Sequence, residues 1–343
     1  MAENKYLKWL SSETRSIFWH DSARREEQLE SFENGAAGMT TNPFLINATL
    51  NEDRDFWAER LAKLPKGLKG DEKALALVNA VTGFYAEQLR PIYDQGIAGK
   101  GYVCAQTNPN KTGDEEYMVA QAKVLAAWAP NIVVKLPATN AGIRAYERCA
   151  AQGMNVAATV SFTVPQVLAV GEAAARAERQ ALANGIKPGL NIAVMMVGRL
   201  DDYLRDVAHD SGAAVSESDI TQAGVACMQK AYRIFKERGY NARLMPAGCR
   251  GANHVTEFAG ADMIMSISPK ISQALKSIER PEERIDVPVD ADVIERLMTM
   301  PEFRKAYMED GMSQMEFITF GSANRTTDQF INDGWNPLLS YSY

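Results

Sequence analysis

Apolar positions along this chain follow two patterns. Short, mostly apolar runs of three to seven residues are typical of buried strands. The longer segments between them place apolar residues every three to four positions, as amphipathic helices do. The predicted strands are residues 16–20, 39–41, 101–106, 131–137, 154–159, 191–197, 242–247 and 263–267. The predicted helices are 22–32, 55–64, 72–93, 114–128, 140–152, 163–184, 216–238, 253–259, 272–278, 291–298 and 315–332.

Strands that alternate with helices predict a parallel sheet. About eight strand–helix units in a chain of 343 residues indicate a (β/α)8 TIM barrel. We expect residues 1–343 to form a single barrel domain, with 279–343 as additional C-terminal helices packed on the barrel. A doubly wound sheet is the alternative, and it is disfavoured because no G-x-G-x-x-G follows the first strand.

One strand carries an unusual residue. The run NIVVKLPAT, residues 131–139, places Lys135 among apolar neighbours, just before a proline that should end the strand. Burial of an ammonium group is costly, so the pKa of such a lysine falls and a free amine is available near neutral pH. A free amine can form a Schiff base with a carbonyl substrate. The alternative is a strand-end lysine that extends its charge to water.

Composition restricts the class of protein. The net charge is −6, and no Lys/Arg block is present, so we do not expect a nucleic-acid partner. The four cysteines are scattered without a CxxC pair, which favours free thiols in a reducing compartment. The first residues contain no apolar core of signal-peptide length, and no segment approaches a membrane span. We expect a cytoplasmic protein with no membrane partner.

Polar residues collect where the predicted strands end, and in a barrel such residues meet at one rim. They are Asp21, Thr40, Asn42, Gln106, Lys135, Thr159, Arg199, Arg250 and Ser268. Each has an ordinary alternative: Asp21 could cap a helix, Thr40 and Asn42 could serve a turn, and Arg199 could pair with a nearby carboxylate. The three histidines are scattered, so neither a metal site nor another cofactor is expected.

Several motifs occur in the order found in a known family, and the chain resembles the transaldolase family of Schiff-base aldolases. The motifs are TTNPFLI at 40–46, VVKLPAT at 133–139 with the following helix GIRAYERCAAQGMNV, TVSFTVPQ at 159–166, VGR at 197–199 and ISPK at 267–270. The lysine and TTNP segments are the specific ones. The resemblance implies a TIM barrel and a metal-independent enzyme of carbohydrate metabolism, in the pentose phosphate pathway.

The resemblance also implies catalytic roles. Lys135 would form the Schiff base, and Asp21 would act as the general acid/base that breaks and makes a C3–C4 bond. Thr159 would help position the catalytic water. The family usually has a glutamate for that water, and Gln106 stands in its place here. Fructose 6-phosphate aldolases of the same superfamily resemble this chain in carrying glutamine at this position. Both transfer and simple cleavage are therefore open as the expected reaction.

Substrate-binding roles follow in the same way. Thr40 and Asn42 would hold substrate hydroxyls, while Arg199 and Arg250 would grip a distal phosphate through charge-assisted contacts. The residues that depart from the family pattern are Ala157 for an asparagine, Met195 and Met196 for a Pro-Phe pair, and Val194 and Gly248 for two phosphate-binding serines. The end group is therefore expected to be anionic, and a sulfonated sugar is a variant of the phosphate.

Three functions remain open at this point. The first is a transaldolase that transfers a dihydroxyacetone unit from a ketose such as fructose 6-phosphate to an aldose acceptor. The second is an aldolase that releases free dihydroxyacetone, and the third is a barrel that binds an anionic metabolite without catalysis. A homo-oligomer is also open, with Trp335 and the tail at 341–343 as candidate interface residues.

Overall fold

The structure, a computed structural model, describes residues 3–343 and contains eight parallel strands. They are β1 (Ile17–Asp21), β2 (Gly38–Thr40), β3 (Tyr102–Gln106), β4 (Ile132–Pro137), β5 (Val156–Thr159), β6 (Asn191–Met195), β7 (Arg243–Pro246) and β8 (Ile264–Ile267). Consecutive strands pair from β1 to β7, and β8 returns to pair with β1. The sheet therefore curls into a nearly closed barrel, which confirms the predicted (β/α)8 architecture.

Helices cover the outside of the barrel. They are α1 (Lys5–Glu13), α2 (Arg25–Glu33), α3 (Pro43–Glu52), α4 (Arg54–Leu61), α5 (Gly70–Tyr93), α6 (Glu115–Ala126), α7 (Asn140–Ala150), α8 (Val164–Ala183), α9 (Val197–Ser211), α10 (Glu217–Ile220), α11 (Ala223–Arg238), α12 (Asn253–Thr256), α13 (Pro269–Leu275), α14 (Ala291–Leu297), α15 (Pro301–Tyr307), α16 (Gly321–Gln329) and α17 (Asn336–Ser340). Within the described residues, no helix combines the length and apolar character needed to cross a membrane.

The strands are buried on both faces, as their continuous apolar runs predicted. Every residue of β4 is buried, Lys135 included. The pairing register places Gln106 beside Lys135 and Lys135 beside Ala157. Asp21 likewise pairs with Thr40 across β1 and β2. The register therefore brings the polar strand ends to one level of the barrel.

Two predicted boundaries were wrong. No helix was predicted between residues 33 and 54, but Asn42 caps α3, accepting a hydrogen bond from the Leu45 backbone N–H at 3.0 Å, with Pro43 in the first turn. The sixth strand ends at Met195, and α9 begins at Val197. The sequence instead predicted a strand that continues to residue 197 and no helix before residue 216. An apolar run spans both elements, and its hydrophobicity does not mark where one ends.

The C-terminal helices pack on the barrel helices: α15 contacts α8, α9 and α11, α16 contacts α9, and α17 contacts α3 and α5. We propose on this basis that residues 1–343 form one domain. Trp335 is fully buried, and the buried Tyr341 hydroxyl donates to the Leu50 carbonyl at 2.6 Å. These two aromatic residues pack within the chain, so an interface between copies would have to use other residues; oligomerisation stays a prediction.

Candidate active site

A cavity of about 160 Å³ opens at the carboxyl ends of the strands. Nine of the residues predicted for the site from the sequence line it: Asp21, Thr40, Asn42, Lys135, Thr159, Met196, Arg199, Gly248 and Arg250. Its other lining residues are Phe44, Leu45, Cys104, Val194, Met245, Ala247, Ser266, Gln329 and Phe330. Residues from all eight strands and the C-terminal segment thus meet in one place, as barrel geometry requires of an active site.

Lys135 lies at the base of this arrangement and is only 7% exposed. Its Nζ donates a hydrogen bond to the Thr41 carbonyl oxygen at 3.0 Å. Burial lowers the pKa of Lys135 from its ordinary value of 10.5, and the positive charge of Arg199 adds to that effect, whereas the Asp21 carboxylate opposes it. The structure therefore increases the fraction of neutral, nucleophilic amine at a given pH.

The Asp21 carboxylate belongs to a short chain of hydrogen bonds. Thr40 Oγ1 lies 2.7 Å from Asp21 Oδ1 and 2.7 Å from the Ser266 hydroxyl. Ser266 was missed from the sequence, which singled out Ser268 instead. β8 ends at Ile267, and Ser266 is the polar residue that faces the cavity, while Ser268 precedes α13. The sequence did contain a signal for Ser266, because it is the polar residue within the apolar run MIMSI at 263–267.

Thr159, the last residue of β5, is buried, and its side chain lines the cavity. The next residue, Val160, has a φ of 56°, in the left-handed region that β-branched residues rarely adopt. It is held there by neighbouring contacts, since Ser161 donates to the Val194 carbonyl and the Thr159 carbonyl accepts from the Ala138 N–H. Backbone strain of this kind concentrates at functional sites.

Gln106 is the one predicted catalytic residue that does not line the cavity. It is buried, and its Oε1 has no hydrogen-bond partner among the described residues. A buried amide oxygen without a partner is uncommon, and a bound water or substrate hydroxyl is a natural donor for it. Because Gln106 pairs in register with Lys135, such a donor would sit close to the Lys135 amine.

Arg199 reaches the cavity from the first turn of α9 rather than from a strand end. Its Nη2 donates to Gln329 Oε1 at 2.7 Å and its Nη1 to Thr326 Oγ1 at 3.4 Å. The alternative in which Arg199 pairs with a nearby carboxylate is not what the structure shows, since its guanidinium contacts Thr326 and Gln329 instead. Burial lowers the pKa of Arg199 from its ordinary value of 12.5, and the like charge of Arg250 adds to that effect. An anion in the cavity would offset both the burial of the Arg199 charge and its repulsion by Arg250.

Arg250 is more exposed than Arg199. The two residues are neighbours because the backbones at Gly198 and Gly248 approach closely. Its Nε donates to Asp202 Oδ2 at 2.6 Å, and its Nη1 donates to the Gly248 carbonyl at 3.1 Å. A Cβ at Gly198 would lie 2.5 Å from the Gly248 oxygen, so only glycine permits the start of α9 and the Arg250 loop to touch. Both guanidinium groups can therefore face one ligand group.

A buried pair supports the loop that carries Arg250. His254 Nε2 lies 2.9 Å from Asp201 Oδ2, both side chains are 1% exposed, and His254 Nδ1 accepts the Arg250 backbone N–H at 3.1 Å. Burial raises the pKa of Asp201. Across residues 3–343, no cluster of three or more His, Cys, Asp or Glu side chains is arranged to hold a metal ion.

Comparison with known proteins agrees with this geometry. The family model for transaldolase/fructose-6-phosphate aldolase matches residues 18–323, which include every strand except the first residue of β1. The chain belongs to this family. Membership of the transaldolase/fructose-6-phosphate aldolase family was predicted from the TTNP and lysine motifs, and the comparison confirms it.

Individual relatives of this family member share modest identity with it. Proteins named transaldolase from Streptomyces avermitilis and Parafrankia sp. are 30% and 27% identical to it over 62% and 58% of the chain, respectively. The chain spans 58% and 55% of their lengths, which is less than two thirds. A transaldolase from Glaesserella parasuis is 25% identical over 84% of this chain and 87% of its own length.

Proposed function

We propose that this family member is a Schiff-base transaldolase, which transfers a dihydroxyacetone unit from a ketose with an anionic end group to an aldose. The observation that carries the proposal is the pairing of a buried amine, Lys135, with the Asp21 carboxylate in one cavity that also holds two guanidinium groups. The amine and carboxylate suit covalent and acid/base chemistry, and the guanidinium groups suit the anionic end.

In the proposed reaction, the neutral amine of Lys135 attacks the ketose carbonyl, and loss of water leaves an iminium. Asp21 accepts the C4 hydroxyl proton as the C3–C4 bond breaks, and the electron pair of that bond passes to the iminium to form an enamine. The aldehyde product leaves. The enamine carbon attacks the acceptor aldehyde, Asp21 returns its proton to the new alkoxide, and water hydrolyses the iminium.

The remaining lining residues have supporting roles in this proposal. Thr40 orients the Asp21 carboxylate, since the two groups are hydrogen-bonded. Asn42 uses its Oδ1 to cap α3, which leaves its amide N–H groups for substrate hydroxyls. Thr159 is placed to position the catalytic water, and Met196 and Gly248 form an apolar wall beside Arg199.

A second candidate function is supported by Gln106. Glutamine cannot act as a base, so the proton transfers of the catalytic water would run through Asp21. If hydrolysis of the enamine-derived iminium outpaces attack on an acceptor, the enzyme releases free dihydroxyacetone, as fructose 6-phosphate aldolases do. A sulfonated ketose is a further donor that the same arginines could bind, because sulfonate is also anionic.

Acceptor dependence separates these candidates. The protein is incubated with fructose 6-phosphate, with and without erythrose 4-phosphate, and free dihydroxyacetone and the new ketose are quantified. Turnover that requires the acceptor supports a transaldolase, whereas cleavage at full rate without it identifies an aldolase. Borohydride trapping is run in parallel, and a three-carbon adduct on Lys135 is expected in both cases. A protein that binds the sugar without trapping or turnover would be a non-catalytic barrel.

Removal of either arginine is expected to weaken binding of charged sugars. Arg199→Ala loses a buried, charge-assisted contact, so KM for fructose 6-phosphate should rise by about thirtyfold, or on the order of 2 kcal/mol. Arg250→Ala should raise it by about tenfold or less, because the Arg250 side chain is 42% exposed and already paired with Asp202. Steady-state kinetics measure both effects.

The control for the arginine variants is Arg90→Ala, which removes an exposed guanidinium that pairs with Asp94 at the end of α5. Its KM should equal that of the wild type. The uncharged ketose fructose is a second control, since its KM should be nearly insensitive to loss of either arginine. An unchanged KM for fructose 6-phosphate in Arg199→Ala would remove the anion-binding assignment.

A further inference from the structure

Gln329, at the end of α16, contacts the anion-binding arginine directly. Its Oε1 accepts a hydrogen bond from Arg199 Nη2 at 2.7 Å, and its side chain lines the cavity beside Phe330. The Arg199 guanidinium carbon lies 5.8 Å from the centre of the Phe330 ring. The sequence reasoning named neither residue, because both come from a segment far along the chain from the barrel strands.

Besides its contacts with Gln329 and Thr326, Arg199 lies beside an apolar wall. A Cβ at Gly248 would contact Arg199 Cγ at 3.5 Å and Met196 Cε at 3.6 Å, so this wall is apolar. Arg199 Nε is buried, and no described residue accepts its hydrogen. A buried guanidinium N–H without an acceptor indicates a place for an oxygen of a ligand. That ligand oxygen would lie within reach of the Gln329 side chain.

The segment that carries Gln329 is fixed from several sides. We call residues 321–335, which comprise α16 and the π-helical turn Phe330–Trp335, the C-terminal cover. Trp335 Nε1 donates to Asp71 Oδ1 at 3.1 Å, and a Cβ at Gly334 would lie 2.6 Å from the Phe44 nitrogen. Asp71 also accepts from Asn108 at 3.0 Å. The cover backbone is thus anchored to α3, α5 and the loop after β3, and π-helical turns are frequent at functional sites.

We propose that Gln329 is a substrate-binding residue for the anionic end group. An amide both accepts and donates hydrogen bonds. In the free protein its oxygen satisfies Arg199; when an anion arrives, an anion oxygen replaces that amide oxygen on Arg199, and the Gln329 side chain turns to donate an Nε2 hydrogen to the anion. The anchored cover keeps its place, and the rotation is confined to the side chain.

This inference rests on the proposed function, since it assigns a further residue to the same end-group site. It identifies the ligand class as a tetrahedral oxyanion at the end of the sugar, of which phosphate is the test case. It also implies that the C-terminal cover sets the specificity for that end group. Among the described lining residues, Gln329 is the neutral amide in contact with Arg199, and it belongs to the cover.

Two variants distinguish binding from a structural role. Gln329→Glu keeps the shape, but its carboxylate would form a lasting ion pair with Arg199 and repel an anion, so KM for fructose 6-phosphate should rise at least tenfold relative to KM for fructose. Gln329→Met removes the donor without adding charge and should raise the same ratio by about threefold to tenfold. A purely structural role predicts the reverse order, because the ion pair would preserve the contact with Arg199.

The matched control is Gln95→Glu, an exposed glutamine at the opposite end of the barrel, just before β3, where the same charge change should leave the ratio unaltered. A second readout does not depend on turnover: inorganic phosphate should raise the melting temperature of the wild type and of Gln95→Glu, and not that of Gln329→Glu.

These two readouts separate the inference from the proposed function. If the wild type shows no Schiff base or turnover, yet phosphate stabilises it and fails to stabilise Gln329→Glu, the proposed function falls and the inference stands. If the wild type is active and Gln329→Glu binds fructose 6-phosphate normally, the inference is overturned alone. A wild type that shows neither activity nor stabilisation by phosphate overturns both.

Discussion

Replacement of Lys135 by methionine is expected to abolish borohydride trapping with fructose 6-phosphate and to reduce turnover to background. The amine is the only group in the proposed reaction that can hold the three-carbon unit covalently, and methionine has no nucleophilic nitrogen. Methionine also matches the length of the lysine stem and suits an apolar setting. Mass spectrometry of the digested protein measures the adduct, and a coupled assay measures turnover.

The same variant should be at least as stable as the wild type, although it is inactive. A lysine whose pKa is lowered by folding must lose its proton or bury a charge, and both cost free energy at neutral pH. Between the lowered pKa of the folded chain and the ordinary value of 10.5, the unfolded chain binds more protons at this site than the folded chain. The wild type should therefore gain stability relative to Lys135→Met as pH rises from the lowered pKa towards 10.5.

Thermal unfolding at several pH values tests this prediction. The control is Lys63→Met, since Lys63 has a side chain that is 72% exposed and should change neither trapping nor the pH dependence of stability. A trapped adduct that persists in Lys135→Met, or maps to another lysine in the wild type, would contradict the assignment. Unfolding of Lys135→Met at lower temperature than the wild type would indicate instead that the Nζ contact with Thr41 outweighs the burial cost.

Replacement of Asp21 by asparagine is expected to separate imine formation from bond cleavage. Asparagine can still accept the hydrogen bond from Thr40, so the site keeps its shape, but it cannot take the C4 hydroxyl proton. Loss of a general base costs about 10²- to 10⁴-fold in rate. Trapping with fructose 6-phosphate should therefore yield an intact six-carbon adduct on Lys135 in place of the three-carbon adduct.

The pH dependence of trapping gives an independent check on Asp21. The carboxylate raises the pKa of Lys135, so its removal should lower that pKa further. Imine formation needs the neutral amine, and the profile of trapping rate against pH should shift to lower pH in Asp21→Asn. Asp94→Asn, which changes an exposed carboxylate at the end of α5, should leave the profile in place. An unchanged profile in Asp21→Asn would place Asp21 outside the electrostatic reach of Lys135.

Much of the site was predictable from sequence, for one physical reason. The carboxyl ends of parallel strands in a barrel meet at one rim, so polar residues that follow apolar runs must converge. Asp21, Thr40, Lys135 and Thr159 were located in this way, and the structure brings all four to one cavity. Their catalytic roles stay predictions. Lys135 could be identified from the sequence alone, because its neighbours along the chain are apolar on both sides.

Other features were visible only after folding. The hydrogen bond between Thr40 and Ser266 joins residues 226 positions apart, and no local pattern reports it. Arg199 was placed at a strand end, but it lies on α9, since an apolar run continues from strand to helix without a boundary signal. The buried contact between His254 and Asp201 was likewise unseen, because the pairing depends on how α9 and α12 meet.

The sequence by itself determined the alternation of strands and helices, hence the barrel, and the family, because apolar periodicity and the TTNP and lysine motifs are local. Only the tertiary structure decided which residues surround the Arg199 guanidinium, since the C-terminal cover reaches Arg199 through packing against α3 and α5. No sequence pattern singles out Gln329, because it is a polar residue on a mostly polar helix. Its place beside a buried guanidinium follows from long-range contacts, which composition and periodicity do not encode.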